Sequence, residues 1–447
     1  MRYKISYFDH AMPLSRLTQF ARKAFYKIFL FVVLLSSFYE PLQAASIKKN
    51  KKGTLMKSSL IYISPFADYQ RTSFINTTTS AKGKITWSFE TGVTATKHWT
   101  TNVALWGGDP LILTLDNLIL LDLNGKKLWS SAKKLRTAMG IYQGRLYTQS
   151  KSGFLQIHNL DGTLQAKDLP FPGGLGEKSQ TGILVPREKD FVSVVFDSDQ
   201  HDHAEDGEQV YSKPHATIIQ NRYEITYGDW SQEEACTWGH STPLFDSKRD
   251  ILSLWTDTHF IRGKMTGSNT ITKFNPQIPG AIDWSMDDSE QYYVIASESN
   301  LMQFASFDAS GKIKWQWKQE IKTDKKSEVK SGDTAALRSE EKWLPHPPAI
   351  GANGRLYVLT NQKIRAFDQK DLVWSYSLKS SSTEMSFVTV LSDNSILVAN
   401  EKDLVFLDET GKKIWNMTFD EEILSSPVVD ENGNIFIATV TKVFRIN

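Results

Sequence analysis

The residues with the most chemical reach are His201 and His203, separated by Asp202 and set among Asp197, Asp199, Glu205 and Asp206. An alternating imidazole pair flanked by carboxylates can ligate zinc, copper or nickel. The run is almost wholly polar and has no apolar residues to fix it on a strand. It therefore reads better as a solvated loop, and no metal ligand is assigned from it. The single cysteine, Cys236, permits no intrachain disulfide and no CxxC metal or haem motif, and reads as a buried, inert thiol. No nucleophile elbow, phosphate loop, HExxH helix or dinucleotide fingerprint occurs. The acid pairs Asp287-Asp288 and Glu421-Glu422 read as turns or solvated faces. No catalytic set is assembled, and no cofactor is implied by the residues alone.

The elements that would position any site are set by a repeat. Asp408-Glu409-Thr410-Gly411-Lys412-Lys413-Ile414-Trp415 recurs as Asp122 to Trp129 and as Asp308 to Trp315, giving the pattern D-x-x-G-K-x-x-W. Asp can accept backbone amides of its own turn, Gly can take positive φ where the hairpin reverses, and Lys keeps the turn soluble. Trp offers a large flat apolar body that one such unit cannot bury alone. Endings of this kind fall at Trp87, Trp129, Leu164, about Glu224, about Lys273, Trp315, Trp374 and Trp415, in several places spaced by about 40 residues. In the last unit 426–430, 435–439 and 442–446 alternate as strands about a tight turn at 431–434.

Four short strands per period of this length specify an all-β chain, an eight-bladed β-propeller of four-stranded antiparallel blades, with seven as the other possible count. The chain stops one strand short in its last unit, while 83–89 is a fourth strand without its first three. Pairing of the N- and C-terminal strands would close the ring and remove its open edges. Insertions at 197–208 and 322–342 interrupt the rhythm as charged loops. The start of each innermost strand would face the mouth of the central channel. The stretches there supply His98, Trp99, Arg136, Trp238, His240, Trp343 and His346, which are the candidate ligand or partner site. The competing reading is that these aromatic and imidazole groups plug the channel and satisfy backbone groups.

At 447 residues the chain is too long for one ordinary core, which suits a single repetitive domain. The 52 basic and 50 acidic residues leave a net charge of +2, which excludes a field strong enough to argue for nucleic acid. Arg16, Arg22, Lys23 and Lys27 precede an apolar run at 28–38, followed by Leu42-Gln43-Ala44. This is the arrangement of a cleaved export signal over 1–44. The run is too short to span as a stable transmembrane helix. Met12 is a second candidate start. The expected organisation is therefore a signal peptide at 1–44, an N-terminal extension at 45–81 and the propeller at 82–447. The mature chain is expected to be periplasmic or secreted, with no lipid-anchor cysteine and no transmembrane segment.

These units resemble the PQQ-like repeat, the blade of quinoprotein alcohol dehydrogenases and of the outer-membrane assembly lipoprotein of the barrel-assembly machinery. In that family P-V-V-D-x-N-G-x-I-Y-V-G-T precedes A-L-D-x-x-T-G-x-x-x-W, and residues 427–439, 348–360 and 408–415 follow it, with the Asp-to-Gly interval one residue shorter. The resemblance spans roughly 82–447. A quinone-dependent member would, on that resemblance, hold adjacent cysteines over the cofactor, a Trp floor, a calcium on Glu, Asn and Asp, and an Asp base. With one cysteine the pair is impossible here. The expectation is an exported, monomeric propeller that is not an enzyme and binds a protein or another component of the cell envelope. The alternative is a PQQ-dependent or other small-molecule-binding enzyme or sensor that uses the channel mouth.

Overall fold

The computed structural model describes residues 73–92, 101–106, 108–114, 117–132, 135–142, 145–150, 155–159, 161–169, 180–186, 190–197, 213–220, 224–227, 244–246, 248–255, 259–264, 271–298, 301–320, 341, 343–344, 346–379 and 386–447. Among these residues the structure is all β, with no helix, and the strands form eight sheets. Each sheet is an antiparallel meander of four strands, and one carries a fifth. The first sheet runs from Thr101–Trp106 to Lys127–Ala132, and the second from Leu135–Tyr142 to Leu164–Leu169. The third runs from Gln180–Pro186 to Glu224–Tyr227, and the fourth from Leu244–Asp246 to Ile271–Phe274. The fifth spans Ala281–Met286 to Ile313–Glu320, the sixth Ala349–Ile350 to Asp371–Ser377, and the seventh Ser386–Leu391 to Lys413–Thr418. The eighth joins Val428–Val429, Ile435–Ala438 and Lys442–Ile446 to the early strand Ile85–Glu90. This is a propeller, with first strands inward and last strands at the rim.

The repeat motif explains why one sheet must lean on the next. In the seventh sheet Asp408 Oδ1 accepts the Thr410 amide at 2.9 Å, the Thr410 hydroxyl at 2.6 Å and the Lys412 amide at 3.0 Å. Those bonds close the turn and put Gly411 at φ 81°, where a side chain would be strained. The bare face of Gly411 takes the Trp374 indole of the sixth sheet, and a Cβ there would stand 2.6 Å from two indole carbons. The indole N–H then donates to the Glu409 carbonyl at 3.1 Å. The same joint pairs Trp87 with Gly125, Trp129 with Gly162 and Trp415 with Gly83. Phe274 fills the place on Gly311, one residue beyond the expected ending at Lys273. The joint between the fifth and sixth sheets departs from the rule. The turn at Asp368–Asp371 has no glycine, and Trp315 keeps its buried Nε1 without a partner among the described residues.

Ring closure follows the expectation from the terminal strands. Ile85–Glu90 pairs antiparallel with Lys442–Ile446, placing Ile85 opposite Ile446, Ser88 opposite Phe444 and Glu90 opposite Lys442. Lys84 and Asn447 exchange backbone bonds at 2.8 and 2.9 Å just beyond the ladder. Arg445 extends the seam to the first sheet by donating to the Leu123 carbonyl at 2.7 Å, the same oxygen that accepts the Trp87 indole at 2.9 Å.

A second connection was not legible in the sequence. Phe74–Ile75 adds a short parallel strand to the channel-facing edge of Ser386–Leu391, with Phe74 beside Val390 and Ile75 beside Leu391. From there residues 77–81 cross the turn end of the seventh and eighth sheets, where the Thr79 hydroxyl donates to the Gly433 carbonyl at 2.5 Å and the Ala81 carbonyl accepts the Trp415 indole at 2.7 Å.

The exposed large aliphatics Ile85, Leu128, Leu372, Val373 and Ile414 all lie on rim strands. Three of them adjoin a lysine: Lys84, Lys127 and Lys413. Such charges keep open sheet edges from pairing with other chains. The expected leader at 1–44, the extension up to 72, the His201–His203 run and the insertion at 322–342 apart from Glu341 lie outside the described residues.

Candidate functional site

The mouth of the channel is the end at which each sheet hands over to the next, opposite the D-x-x-G turns. Of the seven candidate residues, Trp343 and His346 are described with their side chains, and both are buried in the connection leading into the sixth sheet. Trp343 makes a bridge to Thr360, and its ring lies 6.0 Å from that of Trp317. His346 Nε2 receives the Val388 amide at 3.1 Å, and Nδ1 lies 2.7 Å from the Pro347 carbonyl. An amide can only donate, so Nε2 carries no proton, and Nδ1–H donates to Pro347. The imidazole thus joins the sixth sheet to the first strand of the seventh. Arg136 is placed on the first strand of the second sheet by its backbone. His98, Trp99, Trp238 and His240 lie outside the described residues.

For the two that are described, the geometry matches the plug: they fill space and satisfy backbone groups. Removing the imidazole in His346→Ala is expected to orphan the fully buried Val388 amide, at a cost of about 1–3 kcal/mol in urea unfolding. A surface ligand-binding histidine would leave stability unchanged.

Two carboxylates shape the same end, Glu341, which the sequence reading did not single out, and Glu421, which it did not connect to the mouth. Glu341 Oε1 accepts the Thr360 hydroxyl at 2.9 Å and the Arg365 guanidinium at 2.7 Å, and its other oxygen lies 3.8 Å from Lys363. Arg365, 4% exposed, also donates to Gln319 at 2.9 Å and stacks 5.2 Å from the Trp317 ring. Glu421 occupies the equivalent place two residues before the next such bridge, Ile423 to Thr439. It accepts the Thr439 hydroxyl at 2.7 Å and the Thr441 amide and hydroxyl at 2.9 and 2.6 Å. Each glutamate therefore clamps the turn between the second and third strands of its own sheet. The signal was available as Glu-x-Φ (an apolar Φ) ahead of each first strand, at 341–343 and 421–423. Of the pair expected at a turn or on a solvated face, Glu421 is half-buried and serves a turn, whereas Glu422 is exposed. Asp287 is a turn residue as expected, accepting the Ser289 and Gln291 amides at 2.8 and 2.9 Å and the Tyr293 hydroxyl at 2.9 Å.

Burial acts to raise the Glu421 pKa, but the Thr441 and Thr439 hydrogen bonds outweigh it and hold the carboxyl below the usual glutamate range. A glutamate titrates near 4.3 in the unfolded chain. The stability supplied by these bonds is therefore whole above that pH and is lost as pH falls through the lower folded value. The Tm difference between wild type and Glu421→Gln is expected to shrink as pH falls from about 6 to about 3. A constant difference would show that the carboxylate charge is idle.

No group of three or more His, Cys, Asp or Glu able to hold a metal is found among the described residues. The Thr148 hydroxyl lies 3.2 Å from His158 Nε2, but both side chains are fully buried, so the pair is closed to substrate. The fit to a quinone cofactor fails on two counts among these residues. The chain has no cysteine pair, and the described mouth tryptophan, Trp343, is 3% exposed and packed among core side chains rather than presented as a floor.

Residues 360–445 match the family model described as outer membrane protein assembly factor BamB. Over those residues the chain is similar to the PQQ-like repeat, and the described sheets share the propeller fold. The propeller superposes on a europium-containing methanol dehydrogenase with a TM-score of 0.57 and 11% identity, covering 86% of this chain and 90% of that one. It superposes on the quinohemoprotein alcohol dehydrogenase of Comamonas testosteroni with a TM-score of 0.56 and 12% identity, covering 86% and 80%. No curated protein matches the sequence. The expectation that this PQQ-like propeller is not an enzyme is overturned by these likenesses, because both structures are dehydrogenases. At this identity the likeness carries the fold, and a fold shared with enzymes gives no ground for setting catalysis aside.

Proposed function

We propose that the protein is an exported propeller that binds another protein of the cell envelope through its end surfaces. The observation that carries this reading is the match of residues 360–445 to the assembly-factor model, which is a likeness in sequence and not in fold alone. The channel-mouth residues whose side chains are described support it, since they are committed to packing and backbone satisfaction. The working form is a monomer with no role for nucleic acid. The test is cross-linking of the full chain in its own envelope fraction. A stoichiometric protein partner is expected, and its absence would count against the reading.

A second reading has the broader structural support. Small-molecule chemistry at the channel mouth, quinone-dependent or otherwise, is favoured by superposition of nearly the whole chain on two dehydrogenases. Dye reduction by the purified chain with alcohols, added quinone and calcium would favour this reading over the first. No reduction, together with a cross-linked partner, would remove it.

A further inference from the structure

The first strand of the seventh sheet, Ser386–Leu391, turns one edge toward the channel, and the amides along that edge are each accounted for differently. Val388 N–H goes to the His346 imidazole, whereas Val390 N–H goes to the Ser73 carbonyl at 2.8 Å and Ser392 N–H to the Thr77 carbonyl at 2.9 Å. The geometry points to this edge as a strand-acceptor site for an extended peptide, held in cis by residues 73–77 and open to exchange for a like segment of a partner protein. It rests on the partner-binding reading above and names the kind of contact.

The site is selective in its chemistry. A strand seated here sends successive side chains to opposite sides of the seventh sheet. Phe74 enters the cluster of Leu344, Val388 and Val390, and Ile75 that of Phe387, Leu391 and Val429. Two adjacent apolar residues are therefore required, where an ordinary half-buried strand would alternate. Hydroxyls two and four positions further on are read by carbonyls of the eighth sheet, as Thr77 donates to Asp430 at 3.4 Å and Thr79 to Gly433 at 2.5 Å. A ligand of the form Φ-Φ-x-Thr-x-Thr added parallel to the edge meets every demand, and strand addition of this kind is a general mode of peptide capture.

The resident segment is seated in a way that permits exchange. Its ladder is two residue pairs long, and Phe74 and Ile75 are each only half-buried. Ser73 sits at φ 55°, in the left-handed region that a serine adopts only under constraint, with its buried Oγ lacking a partner among the described residues. The cis segment holds the site through the high effective concentration that its covalent link supplies, more than through fit.

The test uses the full chain and a fluorescein-labelled synthetic peptide of residues 71–80, followed by anisotropy. The wild type is expected not to bind it, because the site is filled, whereas Phe74→Asp/Ile75→Asp is expected to bind it saturably. A peptide carrying aspartate at the position of Phe74 should bind at least about tenfold more weakly. Equal binding by wild type and variant, equal binding of both peptides, or no binding to a variant that still melts cooperatively would overturn the site. Ser73→Gly supplies a check that needs no emptied site: relief of the strain should slow hydrogen exchange at the Val390 and Ser392 amides several-fold, and unchanged exchange would count against it. If the peptide binds as expected but no envelope protein is cross-linked, the partner reading fails and the site stands. If a partner is cross-linked equally by wild type and double variant and the peptide binds neither, the site fails and the partner reading stands.

Discussion

Trp415→Ala is expected to lower the stability of the folded chain by about 3–5 kcal/mol in urea unfolding at neutral pH. The indole lies on the bare face of Gly83, packs 5.4 Å from Phe406 and donates to the Ala81 carbonyl at 2.7 Å. Its loss opens a cavity at the joint between the seventh and eighth sheets and orphans that carbonyl. Trp415→Phe keeps most of the contact and loses only the hydrogen bond, so a smaller loss of about 0.5–1.5 kcal/mol is expected. Trp315 provides the contrast. Its Nε1 has no partner among the described residues and the corresponding turn of the sixth sheet has no glycine, so Trp315→Phe loses no hydrogen bond and should lie near wild type. Equal losses for the two Phe variants would show that the docked indole bond is not what holds the joint.

Glu341→Ala is expected to destabilise by about 3–5 kcal/mol, because it leaves the Arg365 guanidinium buried without its carboxylate. Burial already holds Arg365 below the usual arginine range, against the pull of Glu341. Gln319 and the Trp317 ring remain as partners, and neither carries a negative charge. Glu341→Gln/Arg365→Met should recover most of the loss, since a buried ion pair replaced by neutral groups of similar size is often close to neutral in stability. If the double variant is as unstable as Glu341→Ala, the cost does not lie in the stranded charge.

The ring was legible because its joint is written in local sequence. Gly411 and Trp415 sit four residues apart in one motif, and the physics of each demands a neighbour carrying the same motif. Where the motif is degraded the reading slipped by a residue, since Phe274 does the work of a tryptophan and offers no distinctive letter. The roles of Glu341 and Glu421 escaped because Glu-x-Φ is a common pattern, and the Thr360 and Thr439 they clamp are brought near only by the turn of the sheet. Phe74–Ile75 escaped for a related reason: two apolar residues between serines and threonines have no period to detect, and their strand pairs with residues more than three hundred positions away. Of the channel-mouth set, Trp343 and His346 lie buried in the connection into the sixth sheet. Their use, burial against Trp317 and capping of Val388, depends on neighbours that the sequence does not announce.

The most direct test of the closed ring is a disulfide across its seam. Glu90 and Lys442 are opposite one another on the paired terminal strands, with their side chains 3.3 Å apart at the surface. Opposed residues of an antiparallel pair lie about 4.5–5.5 Å apart at Cα, within the reach of a disulfide. In a Cys236→Ser background, Glu90→Cys/Lys442→Cys is expected to oxidise to a monomer with one internal bond and to gain about 2–4 kcal/mol in stability. Thiols that stay free, or that link only between molecules, would show that the two ends of the chain do not share a sheet.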